Sequence, residues 1–293
     1  MSLTLHLPYL EPWDWQQFHR HFALRLLPGV ESLGERRYSR SVRVGTLHGW
    51  IRIEPVAGAP VLALTLCDSL LPAAESLGAR VRRMFDLDAD PQVITAHLGR
   101  DPVLAPLLAA SPGLRVPAAY DPFEQAVRAV VGQQVSVKAA VTITRRLVER
   151  LGEPLPAAPD GVHLLFPSAE ALAGATLDNI GMPAKRLAAL QHLAEAVAAG
   201  RLQLDIAAGA DELVRQLCRL PGIGPWTAEY IALRGFGAAD AFPSADLGLL
   251  KAPLWGTEPP SANALAARAE AWRPWRAYAA VHIWQDYATR MPG

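Results

Sequence analysis

Cysteine is scarce in this chain of 293 residues, with only Cys67 and Cys218. Two thiols cannot build a four-thiolate zinc or iron–sulfur centre, so no iron–sulfur cluster is expected and free, buried thiols are the default. An excess of charge of one sign is also lacking, because 28 basic residues face 28 acidic ones. That balance removes any global sign of a polyanionic partner. Lysine is nearly missing, at Lys138, Lys185 and Lys251 alone, so 25 of the basic residues are arginines, whose planar fork suits phosphate. No apolar run is long enough to span a bilayer. Met1 to Tyr9 lacks the charged-then-apolar layout of a secretory leader, so a cytoplasmic location without a membrane partner is expected. Tandem repeats and low-complexity tracts are missing too. What is abundant is apolar content, 51%, together with 25 prolines, which describes a globular, loop-rich chain long enough for two or three units.

The first segment alternates apolar and polar residues over Tyr38–Val44 and Trp50–Ile53, and a third strand follows over Val61–Leu66 after the Ala57-Gly58-Ala59-Pro60 turn. Helical patterns flank these strands at Asp14–Leu27 and Leu71–Leu87, giving an α+β unit that ends near residue 90. Beyond it the pattern is helical almost to the end. Asp121-Pro122 and Ser168 read as N-caps, and Gly200 reads as the stop of the helix before it. The fold class expected is therefore mainly α with an N-terminal α+β domain.

The window Leu220-Pro221-Gly222-Ile223-Gly224-Pro225-Trp226-Thr227 lies between two helical patterns. Glycine permits the tight turn, Ile223 can plug the gap between the helices, and Pro225 suits a first helical turn where its missing N–H costs nothing. Free amides at the start of the second helix favour an anion such as a phosphate. A plain helical hairpin with glycine at its corner fits the same residues. Downstream, a loop carries Asp240 and then Asp246, the latter placed to cap the next helix.

This window resembles the helix-hairpin-helix motif of DNA repair proteins. Further matches in order along the chain are Asp121–Arg128, Gly132-Gln133-Gln134-Val135-Ser136-Val137, Gly181–Arg186, Trp275-Arg276-Ala277-Tyr278 and His282-Ile283-Trp284. Together they resemble the AlkA type of 3-methyladenine DNA glycosylase across nearly the whole chain. The resemblance implies a helix-hairpin-helix glycosylase fold plus a small sheet domain like a TATA-binding-protein repeat. It implies three units: 1–90; 119–239, carrying the hairpin; and 91–118 joined with 240–293, completing an active-site cleft.

The same resemblance implies the chemistry: hydrolytic release of alkylated purines from double-stranded DNA by base flipping, leaving an abasic site. Asp246 is the expected catalytic carboxylate, because a fixed negative charge stabilises a sugar that turns cationic in the transition state. Trp226, Tyr230 and Trp284 are expected to line the base pocket, where an aromatic face attracts a cationic base; ordinary core packing is the competing reading for each. Gly222, Ile223, Gly224 and Thr227 are expected to hold the DNA backbone, with Gln133 and Gln134 at the duplex. Gln134 stands where better-known members wedge a leucine into the gap. Carbonyls of Cys218, Leu220 and Ile223 are expected to hold a monovalent cation, Na+ or K+, with no catalytic cofactor. Tryptophan at 226 replaces the lysine of strand-cutting relatives, so no lyase step is expected. His282, in an apolar run, reads as a core histidine, and Arg145, Arg146 and Arg150 as solvated helix charges. The protein is expected to be a monomer. The alternatives are a noncatalytic damage-recognition module and a glycosylase for deaminated or oxidised bases.

Overall fold

The computed structural model describes residues 2–290. Its N-terminal sheet has five strands rather than the three legible by alternation: β1 Ser2–Pro8, β2 Glu31–Gly34, β3 Arg37–Val44, β4 Leu47–Pro55 and β5 Val61–Cys67. They pair antiparallel throughout in the order β1-β5-β4-β3-β2. The two strands missed are the edges, whose exposed residues blur the period. In register, Leu5 and Ile53 flank Leu64 from either side, so one face of the sheet is apolar. Helices α1 (Trp15–Arg25) and α2 (Ala74–Met84) close that face. Phe85 sits among Trp15, Phe18, Phe22 and Tyr38, and emptying such a site typically costs about 3–5 kcal/mol.

The remaining helices are α3 Pro91–Leu98, α4 Ala105–Ala110, α5 Pro122–Val131, α6 Val137–Leu151, α7 Ala169–Ala173, α8 Ala184–Ala198, α9 Ala210–Leu217, α10 Pro225–Phe236, α11 Leu247–Leu250, α12 Ala262–Ala269 and α13 Arg276–Arg290. A two-residue ladder, β6 (Glu153–Pro154) with β7 (Leu164–Leu165), interrupts them. Asp121 and Ser168 accept from the first-turn amides of Phe123 and Ala171, as their cap positions predict. The helix that Asp246 caps, α11, is a single turn followed by a 3-10 turn at Pro253–Trp255, because Pro253 has no amide with which to continue it.

Two apolar cores organise the helices. One gathers α5, α6, α8, α9 and the first half of α10 around Leu190, Leu193 and Ile231; the other gathers α3, α4 and α13 with Leu233, Leu249 and Trp272. Helix α10 contributes residues to both.

The N-terminal sheet meets the helices through buried ion pairs. Arg40 of β3 donates to Glu124 of α5, and Arg128 donates to Glu124 at 2.7 Å and to Glu31 at 2.9 Å. Burial works against each charge, yet the paired partners outweigh it: Glu124 is held below the usual carboxylate range by Arg40 and Arg128, and both guanidiniums are pushed up. The thiols are not both buried as expected: Cys218 is exposed and Cys67 is half-buried. The arginines of α6 divide. Arg145 makes only an exposed pair with Glu149, whereas Arg146 and Arg150 donate to the carbonyls of Ile180 and Asp178 and tie down the loop before α8.

Candidate active site

Helix α9, a glycine turn and α10 form the hairpin. Gly222 has φ +84°, and a Cβ there would stand 2.5 Å from the Ala189 Cβ, so packing and backbone both require glycine. Gly224 differs, because a Cβ there would meet nothing within 4 Å. The space above it faces outward. Ile223 is buried as the plug and its amide donates to the Leu220 carbonyl, so among the turn amides those of Gly222 and Gly224 are the ones without an acceptor among the described residues. The Ile223 amide is thereby engaged within the turn. Thr227 is also buried, and its hydroxyl accepts from the Gln133 side chain at 3.0 Å.

That same Gln133 amide donates to the Gly222 carbonyl at 3.0 Å. Gln133 thus clips the α5–α6 loop onto the hairpin. Gln134, its neighbour, is exposed at the loop tip with φ +56°, a conformation that costs a non-glycine residue energy.

Asp246 precedes α11 and both its oxygens are engaged. Oδ1 accepts from the amides of Gly248 at 2.9 Å and Leu249 at 3.2 Å and from the Trp284 indole at 2.8 Å. Oδ2 accepts from the Trp226 indole at 2.9 Å. Since α11 is a single turn, its support for the carboxylate is these two amides rather than a summed helix dipole. Every donor is neutral, and Oδ2, with one donor, has lone-pair capacity left for an incoming group. Asp240, the competing acid, is instead locked by Arg273 and Arg276.

Around Asp246 the aromatic residues form a wall. Trp226 and Tyr230, one turn apart on α10, stack at 5.4 Å between ring centroids, and Trp284 of α13 meets Tyr230 edge-on at 6.2 Å. All three remain half-exposed, with Tyr230 packed against one apolar core and Trp284 against the other. His282 on the same helix turns inward, and burial depresses its pKa to about 4.

Sequence reasoning missed Arg234. It lies one turn beyond Tyr230 on α10, its guanidinium is 4.7 Å from the Trp284 ring, and Nη1 donates to the Pro117 carbonyl. Burial lowers its pKa to about 10, and it has no ion-pair partner among the described residues. Spacing from Trp226 and Tyr230 was the signal that could have found it. A cavity of about 860 Å³ between α8 and α9 includes neither Asp246 nor an aromatic wall, so size alone does not mark the site.

A glycine-cornered hairpin leading to a capped carboxylate between two indoles defines a class of DNA base-excision proteins. Residues 127–276 match the model of the HhH-GPD superfamily base excision DNA repair proteins, and the chain belongs to that superfamily. Its branch is that of AlkA, since residues 4–121 match the AlkA N-terminal domain. The chain is 39% identical over 281 residues to DNA-3-methyladenine glycosylase 2 of Escherichia coli, covering 95% of each. It is 38% identical over 285 residues to the probable bifunctional transcriptional activator/DNA repair enzyme AlkA of Mycobacterium tuberculosis, covering 97% of this chain and 57% of that protein. It shares its fold with the 3-methyladenine DNA-glycosylase from Archaeoglobus fulgidus, with a TM-score of 0.84 at 19% identity over 98% of this chain and 99% of that one.

Proposed function

We propose that this protein hydrolyses the N-glycosidic bond of alkylated purines, of the 3-methyladenine and 7-methylguanine type, in duplex DNA, and leaves an abasic site. The observation that carries this reading is the Asp246 carboxylate, fixed by four neutral N–H donors at the foot of an aromatic cleft. A nucleotide turned out of the stack places its base against Trp226, Tyr230 and Trp284 and its sugar at Oδ2. As the bond lengthens, its electron pair goes to the base, which leaves neutral because it began as a cation. The sugar takes up the positive charge that Asp246 opposes. Water then adds hydroxide to C1′, and its proton passes through Oδ2 to solvent.

The hairpin anchors the DNA backbone through the free amides of Gly222 and Gly224, and Gln134 fills the gap left by the flipped base. The carbonyls of Cys218 and Ile223 accept no backbone hydrogen bond among the described residues, and that of Leu220 accepts only the Ile223 amide. Three neutral oxygens on one turn suit Na+ or K+, which would add positive charge beside the phosphate. No catalytic cofactor is called for. No amine touches Asp246, and an indole cannot attack the sugar, so the DNA strand stays intact. No helix of the described residues is long and apolar enough to cross a membrane. We place the protein in the cytoplasm, acting as a monomer on the nucleoid.

Base-release chromatography on methylated duplex DNA tests the activity, and borohydride trapping tests the absence of a covalent intermediate. Unimpaired release by a folded Asp246→Asn variant, or a trapped adduct in the wild type, would overturn the corresponding half of the reading.

A further inference from the structure

Tyr230 of the aromatic wall also lines a small cavity of about 40 Å³, together with His21, Arg25, Glu124, Arg128 and Arg234. Tyr230 thus both stacks on Trp226 and shares this cavity with His21. The cavity is too small for a purine and large enough for its edge or one water.

Two polar groups there have hydrogen-bonding capacity that the described residues leave unused. The imidazole nitrogens of His21 make no hydrogen bond among the described residues, although the ring is fixed edge-on against Phe22 at 5.5 Å. Arg234 is 6% exposed, and its Nε is buried with no acceptor. A buried donor without a partner costs free energy, and such groups in a native protein commonly await a ligand or water. Burial, and then Arg25, Arg234 and Arg128, push the His21 pKa well down, so the ring is neutral and offers one donor and one acceptor.

We infer that His21, supplied by the N-terminal domain, together with Arg234, contacts the edge of the extruded base and determines which leaving groups the enzyme releases well. The inference rests on the glycosylase reading above and adds a residue from a domain whose role otherwise looks architectural. Its chemistry separates two classes of purine. An alkylated, cationic base is neutralised by the electron pair of the breaking bond and needs no donor at its edge. A neutral base accumulates negative charge as the same pair arrives, until water supplies a proton to the base and hydroxide to C1′. N–H groups aimed at its carbonyl or ring nitrogen strengthen as that charge grows. The positive charge of Arg234 acts in the same direction, favouring a base that turns negative and opposing one that is already positive.

The test uses the full chain on duplexes carrying a single hypoxanthine, a neutral purine with a carbonyl at its edge, and on methylated duplex DNA that releases 3-methyladenine. His21→Phe keeps a ring of similar size against Phe22 but removes both nitrogens. It should lower the single-turnover release of hypoxanthine about tenfold or more, the worth of one charge-assisted hydrogen bond, and leave 3-methyladenine release unchanged or faster. His21→Gln, which keeps a donor, should recover most of the loss. Equal falls for both bases, no change for either, or a wild type that releases 3-methyladenine but no hypoxanthine would each overturn the inference while leaving the proposed activity intact. A wild type that releases neither base would overturn the activity and the inference together.

Discussion

Glu124 and Asp246 each hold a carboxylate among several donors, and they choose opposite partners. At the seam between sheet and helices, Glu124 is surrounded by the guanidiniums of Arg40 and Arg128. At the cleft, Asp246 is surrounded by two indoles and two backbone amides. Charge facing charge cancels within a few ångströms, so the seam projects little field outward and serves to dock one domain on another. Neutral donors fix the Asp246 carboxylate in place without neutralising it, and its field remains available to a cationic sugar. The difference separates a charge that holds structure from one that is free to do chemistry.

The largest effect should come from breaking the seam. Glu124→Gln leaves two buried guanidiniums with too little negative charge between them, and stability should fall by about 3–5 kcal/mol in urea denaturation. Replacing the whole cluster by apolar residues of similar volume should cost far less, because no orphaned charge is left. The cleft should behave the other way round. Asp246→Asn should reduce base release by roughly 10² to 10³, with stability changed by about 1 kcal/mol at most, since the amide oxygen can still cap α11. If the seam variant lost activity without losing stability, or Asp246→Asn unfolded the protein, the contrast would fail.

His282 sharpens the contrast with a third way to bury a titratable group, which is to leave it neutral. Its ring bonds to the backbone of Leu107 and has no charged partner, and its pKa is held at about 4 by burial. An unfolded histidine binds its proton near pH 6.5, so between there and pH 4 the unfolded state holds a proton that the folded state refuses. Stability from this residue is therefore full above pH 6.5 and is lost as pH falls toward 4, by up to about 3 kcal/mol. His282→Phe should lose less stability than the wild type between pH 7.5 and 4.5. Asp86, pushed up to about 6 by burial, acts in the opposite direction over part of that window in both proteins, so the difference between them isolates His282.

What the sequence revealed depends on the range of the interaction. The hairpin, the cap at Asp246 and the one-turn spacing of Trp226 and Tyr230 are local, and local chemistry writes them directly into the order of residues. The meeting of Trp284 with Asp246 joins positions 38 apart, and the clip from Gln133 to Thr227 joins positions 94 apart. Neither has a period or a motif. His21 was hidden most completely, because its helix belongs to a domain whose strands already explain its presence. Edge strands β1 and β2 were missed for a related reason, since one-sided pairing relaxes the alternation that central strands must keep.

The smallest effect expected is also the most direct test of neutral donors at the cleft. Trp226→Phe keeps an aromatic ring for the stack with Tyr230 but removes the N–H that meets Oδ2 at 2.9 Å. A hydrogen bond to a charged group is worth about 1.5–3 kcal/mol, but Oδ1 keeps its three donors, so much of the orientation survives. Release of 3-methyladenine should fall about tenfold, near the lower end of that range, while affinity for abasic-site DNA stays unchanged. Combining Trp226→Phe with Trp284→Phe should cost more than the two single losses together, because the carboxylate would then be held from the α11 side alone and free to turn. Strict additivity in that cycle would show that each indole acts on the base and not through Asp246, and the cleft would then owe its selectivity to stacking rather than to a fixed charge.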